Sequence, residues 1–147
     1  MGDPKKHRKK YETPSHPWRG ERIKEESGLV KEFGLKNKKE VWKASSFLRK
    51  FKKQTKMLIT ESGAQAEKEK KLMLEKLARL GLATSDIHLE DVLGLGTKDI
   101  LERRLQTQVV RKNLANSMKQ SRQFIVHGHV SIKGHKVTIP SNMVLRE

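Results

Sequence analysis

The last third of the chain places two short basic helical segments ahead of a compact hairpin pattern, and this order constrains the fold more than any other feature. Arg and Lys occupy polar positions in the segments LERRLQTQVVRKNLAN and SMKQSRQFIVHGHV, and SIKGHKVTIPSN follows them. The apolar underside of the two helices is supplied by Leu101, Leu105, Val109, Leu114, Phe124 and Ile125. We therefore predict a small rigid platform that presents positive charge to a polyanion.

The overall composition indicates the same class of partner. Hydrophobic and charged residues each make up 34% of the 147 residues, so a large core is not expected. The formal net charge is +16, and such an excess destabilises a compact state unless a polyanion neutralises it. Nucleic acid is the expected partner, because Lys and Arg release condensed counterions when they neutralise phosphates. A membrane surface is the main alternative, but it would need a basic helix with a strongly apolar face.

The positive charge is concentrated at the two ends of the chain. Residues 1–60 contain 18 Lys or Arg against 7 Asp or Glu, and residues 101–147 contain 9 against 2. Residues 61–100 hold 6 against 8. We expect contacts with RNA to come from the ends.

Neither a disulfide nor a membrane-spanning segment is predicted. Cysteine is absent, which excludes disulfides, thiolate zinc sites and cysteine nucleophiles. No apolar run approaches the roughly 20 residues needed to span a bilayer. The N-terminal charges are not followed by the apolar stretch of a secretory signal. We therefore expect a soluble, intracellular protein without a membrane partner.

No reaction centre, cofactor site or metal site is predicted either. GLGTK at residues 94–98 lacks both the spacing and the preceding strand of a phosphate-binding loop. His127, His129 and His135 could form only a histidine-only metal site, because no carboxylate or thiolate is clustered with them. No Ser/His/Asp arrangement or close pair of carboxylates has a convincing context, so we do not expect an enzyme.

Residues 1–36 are predicted to form an extended basic arm. Prolines, glycines and charges interrupt any periodicity in DPKKHRKKYETPSHPWRGER, so this segment should be disordered alone and should order on RNA. A solvated tail is the alternative. Tyr11 and Trp18 favour a binding role, because aromatic residues among basic ones can stack on bases or pack into RNA grooves.

The segment after Asn37 has the pattern of a long amphipathic helix. Glu40 stands three residues later and would complete a capping box. The helical spacing of its inner residues favours packing inside the protein over stacking on bases. These residues are Val41, Trp42, Ala44, Phe47, Leu48, Phe51, Thr55 and Leu58. The rest of the helix carries Arg49, Lys50, Lys52, Lys53 and Lys56, which repel one another unless they face phosphate.

Further helices complete a predicted helical domain over residues 37–97. One follows Ser62, is capped with Gln65, and stops at Gly81. We expect it to pair with the first helix as a helical hairpin. A short third helix is expected near residues 86–93.

Residues 98–147 are predicted to form helix, turn, helix and β-hairpin. Thr97 would cap a helix that runs to about Lys112, and Ser117 with Gln120 would cap another that ends near residues 127–128. Apolar and polar residues then alternate on either side of a bend at Gly134, which indicates two short strands. The predicted fold class is therefore α+β, mostly helical in its N-terminal part.

The motifs of this last region resemble a known RNA-binding family. LERRL at residues 101–105 precedes the pattern S-x-x-Q-x-R-Q-F-I-x-H-G-H-V at residues 117–130, and I-x-G-x-x-V-x-I-P-S ends at residue 141. Together they resemble the S-four RNA-binding domain, a compact α+β module. PKKHRKKYETPSHPW, the basic helix after Asn37 and DVLGLGTKDILERRLQTQV resemble the archaeal branch of the small-subunit ribosomal protein S-four family. The resemblance covers nearly the whole chain.

The resemblance implies a structural constituent of the small ribosomal subunit in the cytoplasm. Such a protein binds the 5′ domain of the small-subunit ribosomal RNA, nucleates subunit assembly and contacts neighbouring ribosomal proteins. It lies near the channel through which messenger RNA enters, so messenger RNA is a further expected partner. No cofactor and no homo-oligomer are expected. The alternatives are a ribosome-maturation factor on the same scaffold, an RNA-modifying enzyme or its accessory module, and a helical scaffold without RNA affinity.

Carried over position by position, the resemblance also implies an RNA face. Arginines and lysines would bind phosphate, Gly128 would allow close approach of the backbone, and the helix N-terminus at Ser117 would hold a phosphate on its free amides. Met118 stands where many relatives have Arg, and Lys119 offers a charge from the next position. The predicted face comprises Arg103, Arg104, Arg111, Lys112, Lys119, Gln120, Arg122, Gln123, His127, Gly128, His129 and Lys133.

Overall fold

Helices of different lengths and one small hairpin make up the fold, in a computed structural model that describes residues 9–83 and 88–146. The helices are α1 (Gly20–Glu32), α2 (Lys38–Thr60), α3 (Ala64–Arg79), α4 (Leu89–Gly94), α5 (Thr97–Glu102), α6 (Leu105–Arg111) and α7 (Met118–Val126). The antiparallel strands are β1 (Ser131–Ile132) and β2 (His135–Lys136). The predicted α+β class with mostly helical content is confirmed.

Helix α2 runs through the middle of the helical part and supplies most of its core. Its predicted inner stripe is buried, from Val41 through Phe51 to Leu58. Helices α1, α3, α4 and α5 all pack against α2. Phe47 and Phe51 meet edge to face, with 4.8 Å between their ring centroids. The prediction that the aromatic residues of this stripe serve packing is therefore confirmed.

Two apolar clusters fill the helical part and form one continuous core. The first contains Phe33, Leu35, Val41, Ala44, Leu48, Ile100 and Leu101. The second contains Phe51, Leu58, Met73, Leu77, Ala83 and Val92. Phe47, Leu82 and Leu95 pack against both clusters and join them.

Helix α2 begins where the sequence predicts, but its capping is different. Asn37 precedes the helix, and its side chain makes no capping hydrogen bond. The Glu40 carboxylate accepts instead from the backbone amide of Lys36 at 3.3 Å and pairs with Arg104 and Arg122 of the C-terminal region. The predicted capping box is wrong because these two arginines engage the carboxylate that would have closed it.

The hairpin of α2 and α3 forms as predicted, again with a different cap. Gly63 precedes α3 and offers no side-chain cap, while Gln65 donates to Glu69 at 3.0 Å. The predicted cap at Ser62 is wrong because Gly63 takes the capping position. The predicted stop is confirmed: Gly81 has a φ of +68°, and its amide donates to the Ala78 carbonyl at 2.8 Å. The short helix predicted near residues 86–93 corresponds to α4, although residues 84–87 lie outside the described residues.

The N-terminal segment differs from the predicted extended arm. Helix α1 packs against α2, and its Leu29 and Val30 contact the first apolar cluster. Its Glu26 is buried and accepts a hydrogen bond from the Trp42 indole at 2.9 Å. The expectation of extended chain is wrong for the residues of α1, because their apolar face finds a partner on α2.

Residues 9–19 form no helix, and Tyr11 and Glu12 among them contact α2. The Tyr11 ring lies 6.1 Å from the Trp42 ring, and the backbone amide of Glu12 donates to Ser46 Oγ at 2.9 Å. The Glu12 carboxylate also pairs with Arg49. The first eight residues of the predicted arm lie outside the described residues.

The single helix predicted from Thr97 to about Lys112 is two helices, α5 and α6. The helix is interrupted at Arg104, whose backbone is extended with φ −69° and ψ 145°. Arg104 also forms an isolated antiparallel bridge with Met143. The break lets the Leu105 amide donate to the Asn142 carbonyl at 2.7 Å. At the start of α5, Asp99 accepts from the Gly96 amide at 2.7 Å, so Gly96 and not Thr97 occupies the cap.

Helix α7 and the hairpin follow the sequence prediction closely. Ser117 Oγ accepts from the Gln120 amide at 3.2 Å, which confirms that cap. The strands turn at Lys133 and Gly134, both with positive φ, and Ser131 faces Lys136 across the ladder. A third apolar cluster lies between the two helices and the hairpin. It contains Leu105, Val109, Ala115 and Ile125, with Val110, Phe124, Val130, Ile132, Val137 and Val144 packed against it.

Two residues predicted for the apolar underside of this platform lie elsewhere. Leu101 belongs to the first apolar cluster, and Leu114 is 64% exposed. The division into domains at residues 97 and 98 stays a prediction. Within the described residues, α5 packs into the core of the helical part, while the third cluster begins at Leu105.

No helix in the ranges 9–83 and 88–146 combines the length and the apolar character needed to cross a membrane.

Candidate nucleic-acid interface

Nine of the twelve predicted RNA-face residues fall into two groups that differ in exposure. The first group, which we call the inner arginines, consists of Arg103, Arg104 and Arg122 and joins the C-terminal region to the helical part. The second group, which we call the outer face, consists of Arg111, Lys112, Lys119, Gln123, His127 and His129, all of which are exposed.

A partly buried carboxylate, that of Glu40, pairs with two of the inner arginines. Arg104 Nη2 lies 2.6 Å from Glu40 Oε2, and Arg122 Nη2 lies 2.9 Å from Glu40 Oε1. Arg104 is only 6% exposed, and its Nε and Nη1 lack a hydrogen-bond partner within the described ranges. Glu40 therefore provides the main compensation for positive charge at this buried position, which is costly to leave unpaired.

The same contacts set the protonation of Glu40. Burial acts to raise the pKa of this carboxyl, since it disfavours the charged form. Hydrogen bonds from Arg122 and Arg104, together with the attraction of their charges, outweigh burial and hold the pKa of Glu40 below its usual value. The carboxylate is therefore charged at neutral pH, as the pairing requires.

Arg103 is held by backbone carbonyls on two different segments. Its Nε donates to the Leu80 carbonyl at 2.9 Å, and its Nη2 donates to the Val144 carbonyl at 2.8 Å. The guanidinium thus ties the end of α3 to the C-terminal segment. The Arg146 amide reinforces this connection by donating to the Arg79 carbonyl at 2.7 Å.

Gln106 is a further buried connection that sequence reasoning missed. It is 1% exposed, and its side-chain amide donates to the carbonyls of Phe33, Gly34 and Met118 at 3.0 to 3.3 Å. Its side-chain oxygen accepts from Arg122 at 3.3 Å. A lone Gln on a basic helix carries no sequence signal for this role, because its partners are backbone atoms distant in the chain.

The outer face is centred on the exposed side of α7. A shallow depression of about 290 Å³ is lined by Lys119, Arg122, Gln123, Val126 and His127. Val126 is 54% exposed, so the depression combines an apolar floor with cationic and amide groups. This combination can receive a phosphate together with part of a sugar or a base.

Two histidine rings extend the outer face beyond the end of α7. The rings of His127 and His129 are nearly parallel, 18° apart, with their centroids separated by 6.3 Å. Phe124 meets the His129 ring edge to face at 6.2 Å and supports it from below. Gly128, which has a φ of +76°, turns the chain between the two histidines. Imidazole rings held in this way can stack on bases or donate hydrogen bonds to phosphate.

Two outer-face residues on α6 and the predicted residues outside both groups have different local environments. Arg111 and Lys112 are exposed at the end of α6, and Arg111 Nη2 lies 3.4 Å from Glu102 Oε1. Gln120 Oε1 accepts from the Asn116 amide at 2.8 Å, so this side chain closes the start of α7. Lys133 is an exposed residue of the hairpin turn.

A second basic surface lies on α2, away from the C-terminal region in sequence. Arg49, Lys52, Lys53 and Lys56 line a shallow surface depression with Ser45 and Leu48. The prediction that these lysines face phosphate stays a prediction, and their position on one side of α2 is compatible with it. Within the described ranges, no group of three or more His, Cys, Asp or Glu residues is arranged to hold a metal ion.

Comparison with known proteins supports the assignment of the C-terminal region. A family model described as the S4 domain matches residues 103–147. This match begins at the inner arginines and includes α6, α7 and the hairpin.

Relatives match the chain over nearly its whole length. It is 52% identical over 145 residues to small ribosomal subunit protein uS4 of Methanococcus aeolicus, covering 98% of this chain and 82% of that protein. The protein of the same name from Methanothermobacter thermautotrophicus is 46% identical over 146 residues, which cover 99% of this chain and 85% of that protein. The corresponding protein of Methanococcoides burtonii is 48% identical over 152 residues, which cover 100% of this chain and 83% of that protein. The resemblance inferred from the motifs is confirmed, and this chain belongs to the family of small ribosomal subunit protein uS4.

Proposed function

We propose that the chain is a structural constituent of the small ribosomal subunit in the cytoplasm and that it binds the small-subunit ribosomal RNA. The observation that carries this proposal is the exposed depression on α7, where Lys119, Gln123 and His127 surround an apolar floor on a braced platform. Membership of the uS4 family supports the ribosomal setting.

The outer face and the inner arginines have different tasks in this proposal. The outer face binds phosphates and stacks on accessible bases, and it recognises the shape of folded RNA more than its base edges. The inner arginines hold the platform on the helical part. RNA contact by Arg103 and Arg104 stays a prediction, and their internal partners support a structural role instead. RNA contact by Gln120, Gly128 and Lys133 also stays a prediction.

The finer parts of the proposal rest on family membership and on the sequence motifs. The chain binds chiefly the 5′ domain of the ribosomal RNA, takes part early in subunit assembly and lies near the channel through which messenger RNA enters. Its other partners are neighbouring ribosomal proteins, and it acts as a single copy without a catalytic role. The strongly basic composition supports RNA as a partner.

Equilibrium binding to a transcript of the ribosomal 5′ domain at several salt concentrations tests the main proposal. The logarithm of the affinity should fall steeply and linearly with the logarithm of the salt concentration, because bound Lys and Arg displace counterions. A nearly flat dependence would rule out phosphate contacts as the basis of binding. Sedimentation of small subunits after a moderate salt wash separates a structural constituent, which stays bound, from a maturation factor, which is absent from mature particles.

A further inference from the structure

Trp18 exposes most of its large, mainly apolar side chain to solvent, which is unfavourable for an indole. It is 89% exposed, the highest value among the exposed large hydrophobic residues of the described ranges, whereas tryptophan is highly buried on average. Tyr11, the other Phe, Tyr or Trp residue within residues 9–19, packs against Trp42. Among the described residues 9–19, Trp18 is therefore the aromatic side chain that is available to a partner.

The turn that carries Trp18 is braced from the interior of the helical part. Arg22 Nη2 donates to the carbonyls of His16 and Pro17 at 3.2 and 2.8 Å, immediately before Trp18. The same guanidinium pairs with Glu26, which is 6% exposed and also accepts from the Trp42 indole. This series of contacts connects the turn to α1 and α2. Pro17 restricts the backbone further. The backbone that carries the indole is thus held in place before binding, which reduces the ordering cost of binding.

The surroundings of Trp18 favour an RNA base over a protein surface. Residues 9–24 contain five Lys or Arg against two Glu, so cationic residues outnumber acidic ones on both sides of Trp18 in the sequence. The residues at positions 15–17 and 19–21 are all exposed, and they include no large aliphatic or aromatic side chain. Protein-binding hot spots cluster in well-packed, desolvated pockets, which this setting does not offer. A tryptophan among cations instead suits a nucleotide, since the ring stacks on the base while the cations attract its phosphates.

We propose that Trp18 is a stacking platform for one unpaired base of the ribosomal RNA and that Arg22 positions it. This inference rests on the proposed RNA-binding function. It adds a contact on the N-terminal side of the molecule, remote in sequence from the S4 region. Because stacking involves no phosphate, Trp18 contributes to affinity without contributing to the salt dependence.

The test measures binding of the full chain to the ribosomal 5′ domain transcript for Trp18→Leu and Trp18→Phe. Trp18→Leu should weaken binding by about five- to 150-fold, the range that stacking of one base spans. Trp18→Phe should retain part of the affinity, because the smaller ring still stacks. The slope of log affinity against log salt should be the same for all three proteins. Leu72→Ala, which alters an exposed apolar residue on α3, is the matched control and should bind like the parent chain.

Two further measurements separate stacking from a loss of structure. RNA should quench the fluorescence that the parent chain has in excess of Trp18→Phe, which isolates Trp18 from Trp42. Arg22→Lys should weaken binding in the parent background and have little effect in the Trp18→Leu background, because its role is to position the ring. An Arg22 effect of equal size in both backgrounds would overturn the positioning role.

The outcomes distinguish this inference from the main proposal. If the parent chain binds the transcript with steep salt dependence but Trp18→Leu binds equally well, the stacking inference is wrong and the RNA-binding function stands. If Trp18→Leu binds RNA normally but is lost from assembled subunits, the ring docks on a protein and the inference is also wrong. If the parent chain does not bind the transcript, the proposed function itself fails.

Discussion

The inner arginines and the outer face consist of similar residues from the same stretch of sequence, yet the structure places them in opposite environments. Arg104 is buried against Glu40, whereas Lys112 and Lys119 extend into solvent. The inner group holds the C-terminal region on the helical part, and the outer group is exposed and can meet a polyanion. A basic sequence motif therefore shows how much positive charge a region carries, but only the structure shows which of these charges are exposed to a ligand.

The largest expected effect comes from removing the carboxylate of the inner group. Glu40→Ala leaves two neighbouring guanidinium groups without their shared partner, so the free energy of unfolding should fall by about 3 kcal/mol. Urea unfolding followed by circular dichroism measures the change. Glu69→Ala, on the exposed surface of α3, is the control and should change stability by less than about 0.5 kcal/mol. Equal stabilities for Glu40→Ala and the control would contradict the internal role of these arginines.

Neutralising the outer face should affect binding and leave folding unchanged. The double variant Lys112→Gln, Lys119→Gln removes two phosphate contacts, so the salt slope should decrease by about 1.4 to 1.8. Relative to 1 M salt, this corresponds to roughly 25- to 60-fold weaker RNA binding at 0.1 M salt. Lys68→Gln with Lys71→Gln, on α3, is the matched control and should retain the parent slope. An equal decrease of the slope in both double variants would indicate that RNA binding depends on the total charge of the protein and not on the outer face.

Gly34 tests the contact between the helical part and the C-terminal region. Its φ is +56°, and a Cβ there would lie 2.6 Å from Met118 Cβ and 3.3 Å from Gln106 Nε2. Gly34→Ala should therefore lower the free energy of unfolding by about 1–2 kcal/mol, since both the backbone conformation and the close approach oppose a side chain. Gly28→Ala, inside α1 with open space around it, should stabilise the chain slightly. Thermal unfolding of both variants provides the measurement. If Gly34→Ala unfolds at the same temperature as the parent chain, the close contact between the helical part and the C-terminal region at Gly34 is not needed for stability.

The smallest expected effect is the acid response of Glu40. The folded-state pKa of Glu40 is lowered, so its charge stabilises the fold above the unfolded pKa of about 4.3, and this stabilisation is lost as the pH falls below that value. The stability difference between the parent chain and Glu40→Gln should be constant near neutral pH and should shrink below about pH 4.3. Urea midpoints measured between pH 3 and pH 7 give this difference. A difference that grows toward acid pH would show that the sign of the pKa shift is wrong.

The sequence predicts the local features of this fold well because they depend on neighbouring residues. The inner stripe of α2, the Ser117 cap and the hairpin turn at Gly134 each follow from residues within a few positions of one another. The break at Arg104 could not be predicted in this way. It depends on a bridge to Met143, and no local pattern in LERRLQTQ signals it.

The candidate site shows the same limit. Motifs identify which residues belong to the RNA-binding region, but exposure decides which of them can touch a ligand. Glu40 fits a capping box in the sequence, yet two arginines from the other end of the chain engage it. Helix α1 was missed because its apolar residues are few and its value comes from packing on α2.

The pairing of Glu40 with Arg122 also has a consequence for how the chain acquires its structure during synthesis. These residues are 82 positions apart, so the contact cannot form until most of the polypeptide has left the exit tunnel. Helices α1, α2 and α3 can associate earlier, because they are neighbours in sequence. During much of elongation Glu40 on α2 therefore lacks its two arginine partners. Its pairing with Arg122 is a late event in folding.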